Sequence, residues 1–184
     1  FIEAGAYDGV SQSNTYFLEK AKEWNGILIE PMPVNFDKIT LNRTVSAVNC
    51  ALVDSNFIDS EIKINYAGLM SVTNGVMGKD QTKEHVANGI CLHNFKSSYQ
   101  IRVEARTLSS IIDEFGSPSI DFLSLDVEGA ENFVLNGIDF ERHRPKYILV
   151  EERKHNETMS LIESFQYIFL DQLTNHDYLY KDTN

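Results

Sequence analysis

The chain has 184 residues, 42% hydrophobic and 23% charged, with a formal net charge of -11 at pH 7. That length and composition suit one globular domain with a sizeable core, and the shortage of Lys and Arg excludes a nucleic-acid partner held through its phosphates or docking on an anionic membrane. No run of about 18 apolar residues is present, so no membrane span is expected; the two cysteines, Cys50 and Cys91, give neither a disulfide framework nor a zinc spacing, and a reducing, cytoplasmic location is expected.

In chain order, FIEAGAYDGVSQSNT reads as a strand ending at Glu3, a glycine-bearing turn and a helix start. The opening residues look like the middle of a buried strand, as in a trimmed N-terminus, and no leader is visible. SNTYFLEKAKEW carries Tyr16, Phe17 and Ala21 on one helical face, with Ser13 or Asn14 as N-cap. GILIE (Gly26 to Glu30) is a second strand, and PVNFDKITLN a helix after Pro31 and Pro33. VSAVNCALV (Val45 to Val53) reads as a third strand. From about 56 to 104 the chain is polar, with no helical stripe apart from the strand-like alternation of EIKINYAG. This segment reads as a substrate-side insertion, either covering loops with an extra hairpin or a disordered excursion. TLSSIIDEFG is a helix stopping at Gly116, IDFLSLDVEG (Ile120 to Gly129) a strand, and GAENFVLNG a short helix. KYILVEE (Lys146 to Glu152) is the next strand, NETMSLIESF the last helix, and YIFLDQLTNHDYLYK one or two closing strands. Strand runs apolar on both faces, alternating with helices, predict an α/β doubly wound sheet.

Acids end three of these strands. Glu3 precedes a turn whose Gly5 and Gly9 let backbone approach a ligand without a Cβ. Tyr7 and Asp8 break the G-x-G-x-x-G dinucleotide pattern and put negative charge where a pyrophosphate would sit. The turn therefore suits a neutral or cationic ligand, unless it is a bare strand-to-helix turn. Glu30, at the tip of the second strand, is placed to accept ribose hydroxyls, or is a solvated strand-end acid. Asp126, Glu128 and Glu131 crowd the end of another strand and repel one another unless water, a proton or a cation intervenes. Asp126 could contact a cofactor, bind a metal or act as a base, while Glu131 could cap the following helix.

FIEAGAYDGVSQSNT, GILIEPMPVNF, TLSSIIDEFG leading into IDFLSLDVEGAENFVLNG, and RPKYILVEE occur together in an order and spacing that resemble the FkbM family of S-adenosylmethionine-dependent methyltransferases. The resemblance runs from Phe1 to about Glu152. It implies a Rossmann-like class I methyltransferase fold: a mostly parallel seven-stranded sheet, helices on both faces and an antiparallel last strand. It also implies O-methylation of a hydroxyl on a sugar, glycan or natural product. Glu3, Gly5 and Gly9 match the family's first motif, with Ala6, Tyr7 and Asn14 beside them in the cofactor set. Glu30, followed by Pro31, matches the ribose-binding acid. Cys50, Ala51 and Leu52 match the part flanking adenine, where no neighbouring Asp offers itself to the exocyclic amine and Asn49 or backbone groups would serve. Asp126 matches the acid beside the methionine end or the acceptor.

The sulfonium of S-adenosylmethionine fits the acidic loop at Asp8. Displacement at that sulfur depends on positioning and on removal of the hydroxyl proton. Asp126, Glu128 and His155 are the leading catalytic candidates, with Glu151, Glu152, His85 and His93 behind them. Tyr66, Met70 and Ser71 are placed in the acceptor pocket. No metal ligands are assigned, although Mg²⁺ held by Asp126 with other carboxylates is an alternative route. Two further readings stay open. One is an NAD(P)-dependent oxidoreductase of Rossmann type, against which Asp8 and the missing third glycine count. The other is a non-catalytic nucleoside-binding or scaffold domain.

Overall fold

A computed structural model describes residues 1–66, 72–73, 87–88, 91, 99–152 and 155–184, with the side chains of 66, 72, 73 and 155 left aside. The elements, in chain order, are β1 (Ile2–Ala4), α1 (Tyr16–Lys22), β2 (Ile27–Ile29), α2 (Pro33–Asn42), β3 (Ser46–Val48), β4 (Ala51–Leu52), β5 (Glu61–Tyr66), β6 (Val72–Thr73), β7 (Tyr99–Arg106), α3 (Leu108–Glu114), β8 (Phe122–Leu125), α4 (Glu131–Leu135), β9 (Tyr147–Glu151), α5 (His155–Ser164), β10 (Tyr167–Gln172) and β11 (Asp177–Asp182).

Seven strands form one sheet in the order β10-β11-β9-β8-β1-β2-β3. The run from β9 to β3 is parallel. β11 enters antiparallel between β9 and β10, so the closing tail is the antiparallel hairpin its sequence suggests. Side chains alternate across the strands and serve two cores. Ile27 and Ile29 pack with Leu108, Ile111 and Val134 from α3 and α4, whereas Leu28 packs with Ile39 and Leu18 from α2 and α1. Both faces are covered by helices, which is why these strands are apolar throughout. This is the Rossmann-like methyltransferase architecture.

A second, four-stranded sheet runs β4-β7-β5-β6. β5 pairs antiparallel with β7 over its whole length, from Glu61↔Glu104 to Tyr66↔Tyr99. The strand expected at EIKINYAG is therefore present, and it gains a partner that sequence reading did not supply. Met70, Ser71, His85 and His93 lie outside the described residues, as does the Tyr66 side chain.

Two expectations are corrected. VSAVNCALV is not one strand: β3 joins the main sheet and β4 the second, with Asn49 and Cys50 between them. A run apolar on both sides can cross between two sheets as readily as it spans one. The helix α1 does not bury Tyr16, Phe17 and Ala21; Phe17 is 62% exposed. Its inward face carries Glu19 and Leu18 instead, because a charged partner waits there.

Candidate functional site

The carboxyl ends of β1, β2, β4 and β8 open onto one cleft of about 750 Å³, part of it open to solvent. Gly5, Tyr7 and Gln12 come from the loop after β1, and Glu30, Pro31 and Met32 from the tip of β2. Asn35 comes from α2, Cys50 from the link before β4, Ala51 and Leu52 from β4, Ile64 from the second sheet, and Asp126 to Glu128 from the tip of β8. Parallel strands put all these tips on one edge, where the topology reverses between β1 and β8.

Glu30 is 5% exposed. Its Oε2 accepts from Tyr7 N–H at 2.9 Å and its Oε1 from Met32 N–H at 2.9 Å. Burial pushes its pKa up to about 7, against these bonds, a side-chain hydrogen bond from Asn35 and the charge of Lys38. Asn49 donates to the Glu30 and Pro31 carbonyls at 2.7 and 3.1 Å. Its amide hydrogens are thus spent on holding the rim and it is not in the lining. Burial pushes the Cys50 thiol up to about 12, which makes it an inert wall residue.

Glu3 faces away from the cleft. Its carboxylate accepts from Thr15 Oγ1 at 2.5 Å, Ser13 Oγ at 2.8 Å and Asn14 N–H at 2.9 Å. Burial raises its pKa against those bonds and the charge of Arg43. Arg43, unremarked in the sequence, ties the whole loop together. With its side chain 0% exposed, it pairs with Glu19 through Nε. It also donates to Gly9 O at 2.8 Å, Ser13 Oγ at 3.1 Å and Thr15 Oγ1 at 3.0 Å. Burial would raise the Glu19 pKa, but hydrogen bonds from Lys20, Arg43 and Thr44 hold it at about 2. Glu3, Ala6, Gly9 and Asn14 are therefore support for the cleft and not part of its surface.

The two glycines serve close approaches within the chain. A Cβ on Gly5, at φ +84°, would lie 1.7 Å from the Asp126 carbonyl oxygen. On Gly9, at φ +79°, it would lie 2.8 Å from Arg43 Cγ. Bare backbone at Gly5 lets β1 and β8 tips close on each other; at Gly9 it admits the arginine.

At the other wall, Leu125 pairs with Val150, so Asp126 and Glu151 follow at neighbouring strand tips and share a hydrogen bond. Burial, this bond and the charges of Glu151, Glu128 and Glu131 drive the Asp126 pKa far above the carboxylate range. Two carboxyls that close repel when both are ionised. Glu131 does not cap α4, whose N-cap is Ala130 without a side-chain bond; it braces the turn before it, its Oε1 accepting from Gly129 N–H at 3.0 Å and Val127 N–H at 3.3 Å. Burial lifts its pKa to about 7 against these bonds. Glu128 lines the cleft with φ +55°. Glu152 is buried and accepts from Tyr180 OH at 2.8 Å, away from the lining. His155 opens α5 after β9, but its side chain is outside the described set. Among the described residues no group of three or more His, Cys, Asp and Glu could hold a metal.

Glu30 and Glu131 hold their protons more tightly folded than unfolded, at about 7 against an ordinary 4.5. The folded protein thus binds more protons between those values, and stability falls as pH rises through that window. This contribution is fully present below the unfolded pKa and lost above the folded one. At about 1.4 kcal/mol per pK unit, each group supplies on the order of a few kcal/mol. The melting temperature is expected to be higher at about pH 5 than at about pH 7.5, with a shallower difference in Glu30→Gln. A wild-type melting temperature that climbs with pH across this range contradicts the assignment.

A family model described as the methyltransferase FkbM domain matches residues 3–180. The chain belongs to the FkbM methyltransferase family. Neither a curated protein nor a solved structure matches it. In this FkbM domain the matched span takes in all of the main sheet's strands except the first residue of β1 and the last two of β11. Among the described residues, no helix of the FkbM domain is long and apolar enough to cross a membrane.

Among the cleft residues missed by sequence reading are two polar ones, Asn35, and Gln12 at φ +57°. Asn35 had a signal. Pro33 opens α2, so Asn35 falls in the first turn, where a side chain looks back at the strand tip that precedes the helix.

Proposed function

We propose that this FkbM domain transfers a methyl group from S-adenosylmethionine to a hydroxyl oxygen of a sugar, glycan or natural product. The observation that carries the reading is Glu30: a buried carboxylate at the tip of β2, fixed by two backbone N–H groups and lining the cleft at the strand tips. The residues fit the donor on chemical grounds. Acceptor groups lie at the β2 rim, apolar Met32 and Leu52 offer a surface for a flat base, and the acids at the β8 rim favour a cation over a phosphate.

When bound, the donor supplies a methyl group on a cationic sulfur, open to displacement by oxygen. Glu30 orients the nucleoside. The loop braced by Glu3 and Arg43 presents Tyr7 N–H to Glu30. Asp126 lies on the acidic side of the cleft; beside a bound cation its carboxyl would ionise, losing its proton to solvent, and the carboxylate could then receive the acceptor's hydroxyl proton. Glu128 adds negative charge at the same rim.

S-adenosylhomocysteine at about 100 times its Kd is expected to stabilise the domain by about 2.7 kcal/mol, a rise of about 5–10 °C in Tm at this chain length, with no rise from NADH. A rise with NADH and none with S-adenosylhomocysteine rejects the proposal. Transfer of labelled methyl to a panel of sugars and polyols, against amines and thiols, then tests the acceptor class.

A further inference from the structure

Asn35 is 1% exposed, lines the cleft, and has a buried side-chain oxygen, Oδ1, with no hydrogen-bond partner. Buried amide oxygens are almost always paired, so one left open beside a ligand cleft calls for a donor from that ligand. The orientation of the amide follows from its neighbour. A carboxylate only accepts, so the Asn35 NH₂ faces Glu30 and hydrogen-bonds to it. Oδ1 is left without a partner, in a residue that lines the cleft.

Counting acceptor sites gives the second argument. A carboxylate offers roughly four lone-pair positions. On Glu30, Tyr7 N–H, Met32 N–H and the Asn35 amide occupy three. One position remains, whereas a ribose presents two hydroxyl protons side by side. A single acceptor on Glu30 leaves one proton over, and Asn35 Oδ1, beside Glu30, is an acceptor without a partner.

We infer that Asn35 completes the ribose site, with one hydroxyl of the vicinal diol donating to Glu30 and the other to Asn35 Oδ1. The inference rests on the nucleoside reading of the cleft. It makes Asn35 a specificity residue for ribonucleosides over deoxynucleosides. The amide has two tasks there: it holds the Glu30 carboxylate in place and offers the second acceptor.

The test is calorimetric titration of the full chain with S-adenosylhomocysteine and its 2′-deoxy and 3′-deoxy analogues. Wild type is expected to lose about 10-fold or more in affinity with either analogue, each loss being one hydrogen bond to a buried acceptor. In Asn35→Ala one of the two losses is expected to shrink to about 2-fold or less while the other persists. Asn35→Leu, closer in volume, repeats the measurement should the alanine variant fold poorly. Both losses persisting at full size in a folded Asn35 variant overturns the inference while leaving the nucleoside reading intact. So does a wild type indifferent to the removal of one hydroxyl, a result that needs no variant. A wild type with no affinity for S-adenosylhomocysteine overturns both.

Discussion

Arg43→Met is expected to lower stability by about 3–5 kcal/mol, the cost of removing one partner from a buried ion network. The side chain is fully buried, and its guanidinium is the counter-charge to Glu19 and Glu3. Methionine has similar reach and no donor. Glu19 would be left with Lys20 and Thr44, Glu3 would lose the positive charge 3.6 Å away, and the Gly9 carbonyl would lose its donor. Urea unfolding should show a lower midpoint with an unchanged slope. Arg43→Lys should recover only part of the loss, since one ammonium cannot reach Glu19, Gly9 and Thr15 at once. Adding Glu19→Met to Arg43→Met should recover more, because the stranded charge goes with it. A change below about 1 kcal/mol in Arg43→Met, the range of surface pairs, would show that the network contributes little. The loop that this network holds carries Tyr7, so ligand affinity should fall along with stability.

Glu30→Ala is expected to weaken S-adenosylhomocysteine binding by about 100-fold. A hydrogen bond to a charged acceptor contributes about 1.5–3 kcal/mol, or roughly 10- to 150-fold on its own. The variant also frees the Asn35 amide from its anchor and leaves Tyr7 and Met32 N–H without their acceptor. Calorimetry on the folded variant is the check, with circular dichroism to confirm the fold. Stability should respond less than binding at neutral pH. Removing a carboxylate that is costly to ionise relieves a desolvation penalty, which offsets the lost bonds. Affinity within about 3-fold of wild type would remove Glu30 from the nucleoside site.

These two residues differ in how far their sequence positions betrayed them. Glu30 stands directly after an apolar strand and before two prolines, so its place at a strand tip could be read along the chain. Arg43 follows α2 with no local sign of importance. Its partners Gly9, Ser13, Thr15 and Glu19 are 24 to 34 positions earlier, and only packing of α2 beside α1 brings them together. The same packing reverses the expected face of α1. Periodicity pointed Tyr16 and Phe17 inward, whereas a buried arginine claimed Glu19.

The third strand was misread for a related reason. Hydrophobic runs report burial and do not say in which sheet. Asn49 at the break, donating to the Glu30 and Pro31 carbonyls, is visible as the pivot only once both sheets are in place. The glycines were located correctly, Gly5 in the cleft lining, and their tightest neighbours lie within the chain. Whether a missing Cβ makes room for a ligand or for the Asp126 carbonyl is a distance, and the chain order does not contain it.

What the amino-acid order determined by itself was the alternation of strands and helices, Glu30 and Asp126 at their strand tips (Glu3, expected to end β1, lies inside it) and the family, since each is written in local pattern over consecutive residues. Tertiary structure alone decided which acid faces the cleft and which is spent inside the protein. It turned Glu3 into the loop and Glu30 to the cleft, brought Asp126 into a hydrogen bond with Glu151, and left one oxygen of Asn35 without a partner. Charge, burial and hydrogen-bond count at a point in space depend on what several distant segments bring there, so the chemistry of each carboxylate was settled by its neighbours across the sheet edge.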